Sequence, residues 1–424
     1  MSSEGAGAMD EENSEKSALV PRLRFPEFHG VVSALPLAAV ADLVSEKTSV
    51  DQLTLAQYVS TENLLADFGG MTPAVKLPSV SSVTSFRPND VLVSNIRPYL
   101  RKVWQANIFG GASNDVLVVR PSERVGADYL AAILRSDLFI DYVMLGAKGV
   151  KMPRGEISMI QDFSVPCPNA DEQQKIADCL SSLDELVTAE TQKLDALKTH
   201  KKGLMQQLFP REGETVPRLR FPEFSEKEGW KKERLEDLAK RGSGHTPSKA
   251  HPEYYDGGIK WVSLADSKRL DAGLITETEV EISAEGIANS SAVLHPAGSV
   301  LLSRDAAVGR GALMGEVMAV SQHFIVWTCK PTRLSNWFLY YSLQQRKPVF
   351  ERVATGSTIK TIGLPFFIDM RIEVPTLPEQ EMIAACLRTL DDLITAQSQK
   401  IDALKTHKQG LMQQLFPVLD GVSA

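Results

Sequence analysis

The chain has 424 residues, too many for one hydrophobic core, and 43% apolar against 23% charged residues is the balance of an ordinary globular protein of two or three domains. No apolar run reaches the roughly 18–20 residues of a membrane span, which argues for a cytoplasmic protein with no membrane partner. A net charge of −7 and a pI near 5.7 count against a freely acting nucleic-acid binder, whose usual footprint is basic.

Residues 1–19 are small, polar and acidic, without the basic and apolar regions of a secretory signal, and are expected to form a disordered tail. VPRLRFPEF at 20–28 then recurs unchanged at 216–224, an offset of 196. LDALKTHKKGLMQQLFP at 194–210 recurs as IDALKTHKQGLMQQLFP at 401–417, an offset of 207. The halves share their ends, while their interiors diverge and the second is longer by 11 (207 − 196). Two modules of one design, each reading something different, follow from that pattern.

The first insert, about 29–165, carries strand-like runs at 90–96, 115–120 and 163–166. Segments 49–65 and 129–145 read as mixed or helical, and turns are expected at Arg97-Pro98, Gly110-Gly111, Gly146, Gly149 and Gly155. A long helix follows, preceded by Pro168 and Asp171 and stopped by Phe209-Pro210. Ile176, Leu180, Leu183, Val187, Leu194, Leu197, Leu204 and Leu208 alternate in steps of four and three, broken only at Glu190 and Lys201. That is a coiled-coil seam. The second insert, about 225–373, carries strand-like runs at 259–264, 299–303, 323–327 and 370–375. The second helix, opened by Pro378 and stopped by Phe416-Pro417, repeats the seam at Ile383, Leu387, Leu390, Ile394, Ile401, Leu404, Leu411 and Leu415, with breaks at Gln397 and Lys408.

Each helix of about 39 residues spans roughly 58 Å. Copies sharing a seam are expected to pair antiparallel into a rod with a reading head at each end, reaching across at most about 17 base pairs, with the polar breaks fixing register. The fold class is therefore α+β: two recognition domains of mixed sheet and helices, separated by two long antiparallel coiled-coil helices, in an internal pseudo-two-fold repeat. The expected boundaries are 20–165 and 216–373 for the two domains, 166–215 for the first helix and linker, and 374–424 for the second helix and its tail.

Chemistry-bearing motifs are few. The sequence holds no GxxxxGK[ST] loop, no GxGxxG after a strand, no HExxH, no zinc-spaced cysteines and no Asn/Asp-Pro-Pro-aromatic motif. Cys167, Cys179, Cys329 and Cys386 are expected to be buried free thiols. Glu62, Asp90, Asp266 and Asp305 are the acids a tandem-duplicated hydrolase would use, but nothing pairs them and no acidic pair matches between the halves. His200 and His407 belong to a solvated basic helix face, and Trp261, Trp327 and Trp337 to the core. A coiled-coil adaptor without a nucleic-acid role is disfavoured by the basic glycine loops.

The Leu-Arg-Phe-Pro-Glu-Phe boxes, the openings Pro168-Asn-Ala-Asp-Glu-Gln-Gln-Lys-Ile and Pro378-Glu-Gln-Glu-Met-Ile, and the Gly-Leu-Met-Gln-Gln-Leu-Phe-Pro endings resemble those of type I restriction–modification DNA specificity subunits. Tyr58-VSTENL, Val93-SNIRPYLRK and Val150-KMPRG resemble one target-recognition domain of that family. His245-TPSKAHPEYYDGGIKWVSLAD, Ile282-SAEGIANSSA and Thr355-GSTIKTIG resemble another. The resemblance covers the chain after residue 19. It implies a non-catalytic subunit that reads a bipartite, asymmetric double-stranded DNA site and holds two modification (methyltransferase) subunits. Restriction/translocase subunits join them, or, alternatively, the complex is methyltransferase-only. S-adenosylmethionine, ATP and Mg then belong to the partners, and this chain carries no cofactor, metal or catalytic residue.

Its candidate DNA contacts are Arg97, Tyr99, Arg101 and Lys102 in a turn after a strand, and Lys148, Lys151 and Arg154 in a glycine loop. In the second insert they are Ser243, His245, Thr246, Ser248 and Lys249, then Arg304 and Arg310, and Ser357, Thr358 and Lys360 in the loop equivalent to the first glycine loop.

Overall fold

The computed structural model describes residues 20–149 and 151–417, so the expected tail at 1–19, Val150 and residues 418–424 lie outside the described residues. The chain forms two compact units: Met1–Thr191 with Gln399–Ala424, and Gln192–Ser398.

In the first unit an antiparallel sheet runs in the order Ala41–Leu43, Val116–Pro121, Val91–Ser94, Val103–Gln105. A second sheet orders Lys47–Ser49, Ser82–Phe86, Gly110–Ala112 and Tyr58–Val59, the last pairing parallel. The central strand, Val-Leu-Val-Ser at 91–94, is buried at every position, as an unbroken apolar run requires. Gly110-Gly111 is a strand and not the expected turn. A Cβ on Gly110 would stand 2.1 Å from the Gln57 carbonyl oxygen, and one on Gly111 2.4 Å from Val83, so only bare backbone fits between these neighbours. Segment 129–145 resolves into helices Ala127–Leu134 and Asp137–Leu145, the second capped by the Ser136 hydroxyl, which accepts from the Phe139 N–H at 3.2 Å.

The second unit repeats the plan with a five-stranded sheet, Ala239–Ser243, Phe324–Cys329, Val300–Ser303, Gly311–Met314, Leu274–Ile275. A three-stranded sheet orders Glu281–Ile282, Tyr255–Val262 and Ala319–Val320. In each unit a two-stranded ribbon ties the start of the insert to its end: Ser33–Pro36 with Ser164–Cys167, and Lys231–Arg234 with Arg371–Val374.

The long helices span Ala170–Leu208 and Leu377–Leu415, 39 residues each. The first begins a residue before Asp171, which lies in its first turn. The cap is Asn169, whose Oδ1 accepts from the Glu172 N–H at 2.9 Å. Every expected seam position is buried or half-buried. In the first unit Asp184 accepts from Lys408 at 2.5 Å, and Glu190 from Lys400. In the second, Lys201 donates to Asp391, which also accepts from the Tyr341 hydroxyl at 2.7 Å. Partner numbers fall as helix numbers rise, so the pairing is antiparallel. Lys201–Asp391 and Lys408–Asp184 are the same lysine–aspartate pair shifted by 207 residues.

The repeated boxes make the joint between insert and helix. Arg24 donates from Nε and Nη2 to both oxygens of Glu172, each at 2.7 Å, with the carboxylate 2% exposed. Arg220 does the same to Glu379 at 2.8 and 2.9 Å, and the Trp230 indole adds a third donor at 3.2 Å. Beside them Gln173 accepts from the Gly126 N–H at 2.8 Å and donates to the Pro168 carbonyl at 2.9 Å. Gln380 accepts from the Ser335 N–H at 2.9 Å and donates to the Pro375 carbonyl at 3.0 Å. Glu172/Glu379 and Asp184/Asp391 are single acids matched between the halves, not acidic pairs, and each is held by a cation.

Each core takes the start of one long helix and the end of the other. Ile176, Ala177 and Leu180 pack in the first unit's core with Leu415 and Phe416, and Ile383, Ala384 and Leu387 in the second's with Leu208 and Phe209. The four cysteines are free but half-buried, short of the full burial expected. Trp261 and Trp327 are buried, whereas Trp337 is half-buried under the Arg388 guanidinium, 4.7 Å from its ring centre.

Candidate nucleic-acid interface

In the first unit two loops lie side by side. The strand Val91–Ser94 runs into residues 95–101, where Arg97 and Arg101 take left-handed backbone, φ 51° and 54°, around the turn Pro98–Leu100. Lys148 and Arg154 exchange both backbone hydrogen bonds, each 3.0 Å, and close a hairpin. The hairpin leans on the first loop through Arg97 N–H to the Pro153 carbonyl, 2.8 Å, and Gly155 N–H to the Asn95 carbonyl, 3.2 Å. The Asn95 N–H reaches the Asp115 carbonyl at 2.8 Å, and the Ser94 hydroxyl the Ile96 carbonyl at 3.0 Å.

The second unit repeats this frame bond for bond. Thr355 and Thr361 close the hairpin at 3.0 and 2.8 Å. Ala306, with φ 55° where Arg97 has 51°, donates to the Lys360 carbonyl at 3.0 Å, and Ile362 donates to the Arg304 carbonyl at 2.9 Å. Arg304 donates to the His323 carbonyl at 2.9 Å, and the Ser303 hydroxyl to the Asp305 carbonyl at 2.8 Å. What changes is the side chains: Arg97 becomes Ala306, Lys148 Thr355, Lys151 Thr358 and Arg154 Thr361.

The candidate contacts divide by what already holds them. Arg97 and Lys151 are exposed, and neither side chain bonds to another described residue; Tyr99 is 50% exposed. Lys148 pairs with Glu156 and Arg154 with Asp115, both at 2.6 Å, in exposed pairs that a phosphate can replace. The Lys148 ammonium holds the Glu156 carboxyl below the usual range by hydrogen bond and charge. Arg101 and Lys102 are committed inward, to Asp137 at 2.9 Å and the Thr61 carbonyl at 2.6 Å. The two loops thus gather four exposed cations, Arg97, Lys148, Lys151 and Arg154, against two acids, Glu156 and Asp115.

In the second unit Ser357, Thr358 and Lys360 stand exposed along the hairpin. The 243–249 loop joins them through residues 320–323: the His245 N–H meets the Val320 carbonyl at 3.0 Å, and Thr246 meets Gln322 at 2.5 Å. His323 Nδ1 lies 2.9 Å from Asp305. Ser243, His245, Ser248 and Lys249 are exposed on this loop. The Arg304 guanidinium lies 3.6 Å from Asp305, and Arg310 turns away to Asp271 at 3.2 Å and the Ser267 carbonyl at 3.1 Å. The sequence reading passed over Met152 and Ile359, exposed at the two hairpins and 207 apart; aligning the halves at that offset is the signal that finds them.

Glu62, Asp90, Asp266 and Asp305 form no pair of carboxylates ready for acid–base chemistry. Asp90 accepts two bonds from Arg120, both 2.9 Å, and Asp266 sits in the capping box of Ser263. Glu62 is exposed, and Asp305 faces His323. His200 and His407 are exposed. Among the described residues no helix is long and apolar enough to cross a membrane.

A family model described as the type I restriction modification DNA specificity domain matches residues 89–199 and 227–406. The chain is 23% identical over 280 residues to the type I restriction enzyme MjaVIII specificity subunit of Methanocaldococcus jannaschii, covering 63% of this chain and 65% of that one. The chain thus spans just under two thirds of that relative's length. A chain from a structure on complex assembly and conformational transition of the type I R-M system has a TM-score of 0.60 at 21% identity, covering 91% of this chain and 97% of the other. The S subunit of the type I restriction–modification system from M. genitalium has a TM-score of 0.59 at 13% identity, covering 95% of this chain and all of the other. These two likenesses are of fold.

Proposed function

Since the chain belongs to the type I restriction modification DNA specificity family, we propose that it reads a bipartite, asymmetric double-stranded DNA site, each unit's paired loops reading one half. The observation that carries this is the loop frame kept bond for bond while its side chains differ, since one docking geometry with two side-chain sets suits two sequences. Arg97, Tyr99, Lys148, Lys151 and Arg154 are the contacts of the first unit. Ser243, His245, Thr246, Ser248, Lys249, Arg304, Ser357, Thr358 and Lys360 are those of the second. Arg101, Lys102 and Arg310 support loop shape in this reading and reach DNA only by leaving their present partners. The helices set the unread gap between the half-sites. Two readers joined by a stiff element make the second binding step intramolecular, which raises affinity without new contacts.

The chain itself is non-catalytic in this reading. Two modification subunits dock on the repeated helix ends, with Gln206/Gln413 and Gln207/Gln414 exposed at matching positions, and restriction subunits join them. S-adenosylmethionine, ATP and magnesium are ligands of those partners, and the complex works in the cytoplasm.

The test is a genome-wide map of methylated adenines with the gene intact and deleted. Loss of one bipartite motif on deletion is expected. A map unchanged by deletion, from cells in which the chain co-purifies with a methyltransferase subunit, refutes the reading.

A further inference from the structure

We propose that Met152 and Ile359 are apolar wedges that enter the base stack of double-stranded DNA, one in each half-site; the inference rests on the DNA-reading function proposed above. Both are large apolar side chains left exposed, 53% and 57%, and neither belongs to a core cluster of its unit. They are equivalent at the offset of 207, and each precedes the residue whose carbonyl anchors the hairpin, Pro153 or Lys360.

In each hairpin a glycine lies opposite the exposed apolar residue. Gly149 and Gly356 have φ of +103° and +119°, and a Cβ there would lie 3.3 Å from the Met152 carbonyl oxygen and 2.2 Å from that of Ile359. Glycine suits that turn, where the backbone of 149 and 356 passes close to the carbonyls of 152 and 359. Lys148, Lys151 and Arg154 have become Thr355, Thr358 and Thr361 around them. The polar side chains vary between the units while the exposed apolar one persists, so its role is common to both half-sites and independent of their sequence.

An exposed methionine or isoleucine gains nothing in water. Cations stand close in the chain, Lys151 next to Met152 and Lys360 next to Ile359, and the Arg97 backbone bonds to Pro153; such a setting suits a side chain that meets a polyanion. Inside a nucleic acid the surface that accepts such a side chain is the face of a base opened at a step, and methionine and isoleucine are among the residues that kink duplexes this way.

The experiment uses the full chain in complex with its modification subunits, on duplexes carrying the methylation motif with 2-aminopurine at successive steps. The intact complex is expected to brighten the probe at one step in each half-site. Met152→Ala removes the signal in the first unit's half-site alone, and Ile359→Ala in the other alone. Each lowers affinity about tenfold, the loss of one buried apolar side chain. The salt dependence stays unchanged, because no charge is removed, and Met152→Leu retains the signal. Retention of the modification subunits by each variant shows that it is folded and assembled. A flat probe response in the intact complex on its motif overturns the wedge, as do alanine variants that keep the response. Loss of the modification subunits with the response intact assigns these tips to protein docking instead. A complex that binds no duplex at all, or a methylation map unchanged on deletion, refutes the DNA-reading function itself.

Discussion

Replacing Glu379 by alanine should be among the most damaging single changes in the second unit. Its carboxylate is 1% exposed and accepts from Arg220 Nε at 2.8 Å, Arg220 Nη2 at 2.9 Å and the Trp230 indole at 3.2 Å. The Arg220 side chain is only 8% exposed, so the truncation strands a desolvated guanidinium, at about 3–5 kcal/mol. The guanidinium keeps the Lys227 and Glu228 carbonyls as acceptors at 2.7 and 3.1 Å, which puts the expectation toward the lower end of that range. The equivalent Glu172→Ala should cost less, because Arg24 is 17% exposed and no indole donates to Glu172. Urea unfolding followed by tryptophan fluorescence reads the second unit preferentially, since Trp230, Trp261, Trp327 and Trp337 lie there and only Trp104 in the first. Treating the units separately is required, because one free energy does not describe a chain with two. Arg220→Met with Glu379→Leu should recover most of the loss, as an apolar pair often replaces a buried ion pair at little cost. A single variant within about 1 kcal/mol of the parent, or a double variant no better than the single, would falsify the argument that the repeated boxes are a buried electrostatic clamp.

Three further outcomes are expected. Gly203→Ala and Gly410→Ala should each stabilise their helix by about 1 kcal/mol, since no heavy atom lies within 4 Å of the added Cβ; pull-down of the modification subunits should weaken, and unimpaired assembly would show that nothing approaches these positions closely. Lys151→Ala should weaken binding to all duplexes alike and reduce the salt slope by about 1, measured by fluorescence anisotropy from low to moderate salt; a change of preferred sequence instead would make Lys151 a base reader. His295 is buried, and burial pushes its imidazole below the ordinary 6.5. The unfolded chain therefore takes up that proton first: this contribution to stability is complete above about pH 6.5 and declines as pH falls toward the folded value, by at most about 1.4 kcal/mol per unit. His295→Gln should flatten that limb of a urea-midpoint series, and an unchanged limb would rule the ring out as its source.

The long helices and the duplicated plan were legible because periodicity and exact repeats are properties of the string; 39 residues were expected and 39 are found in each helix. Strands with unbroken apolar runs were legible for the same reason. Strands such as Gly110–Ala112 were not, because there a missing side chain, not an apolar one, suits the site, and the neighbours that demand it are tens of residues away in the chain. Among the site residues, sequence located both hairpins. It had no means of separating Arg97 from Arg101, two cations of one turn, of which one has no side-chain partner among the described residues and the other is bound to Asp137, since that difference depends on a helix 36 residues further along (137 − 101).

The two units differ in when they can be completed during synthesis. The second is drawn from one continuous stretch, Gln192–Ser398, whereas the first also needs Leu415 and Phe416, whose side chains enter its core beside Tyr129. A ribosome releases every residue of the second unit before the first can close. Until then the face that Phe416 covers stays open on the nascent chain, and it is on such unfinished chains that chaperone binding and aggregation should concentrate.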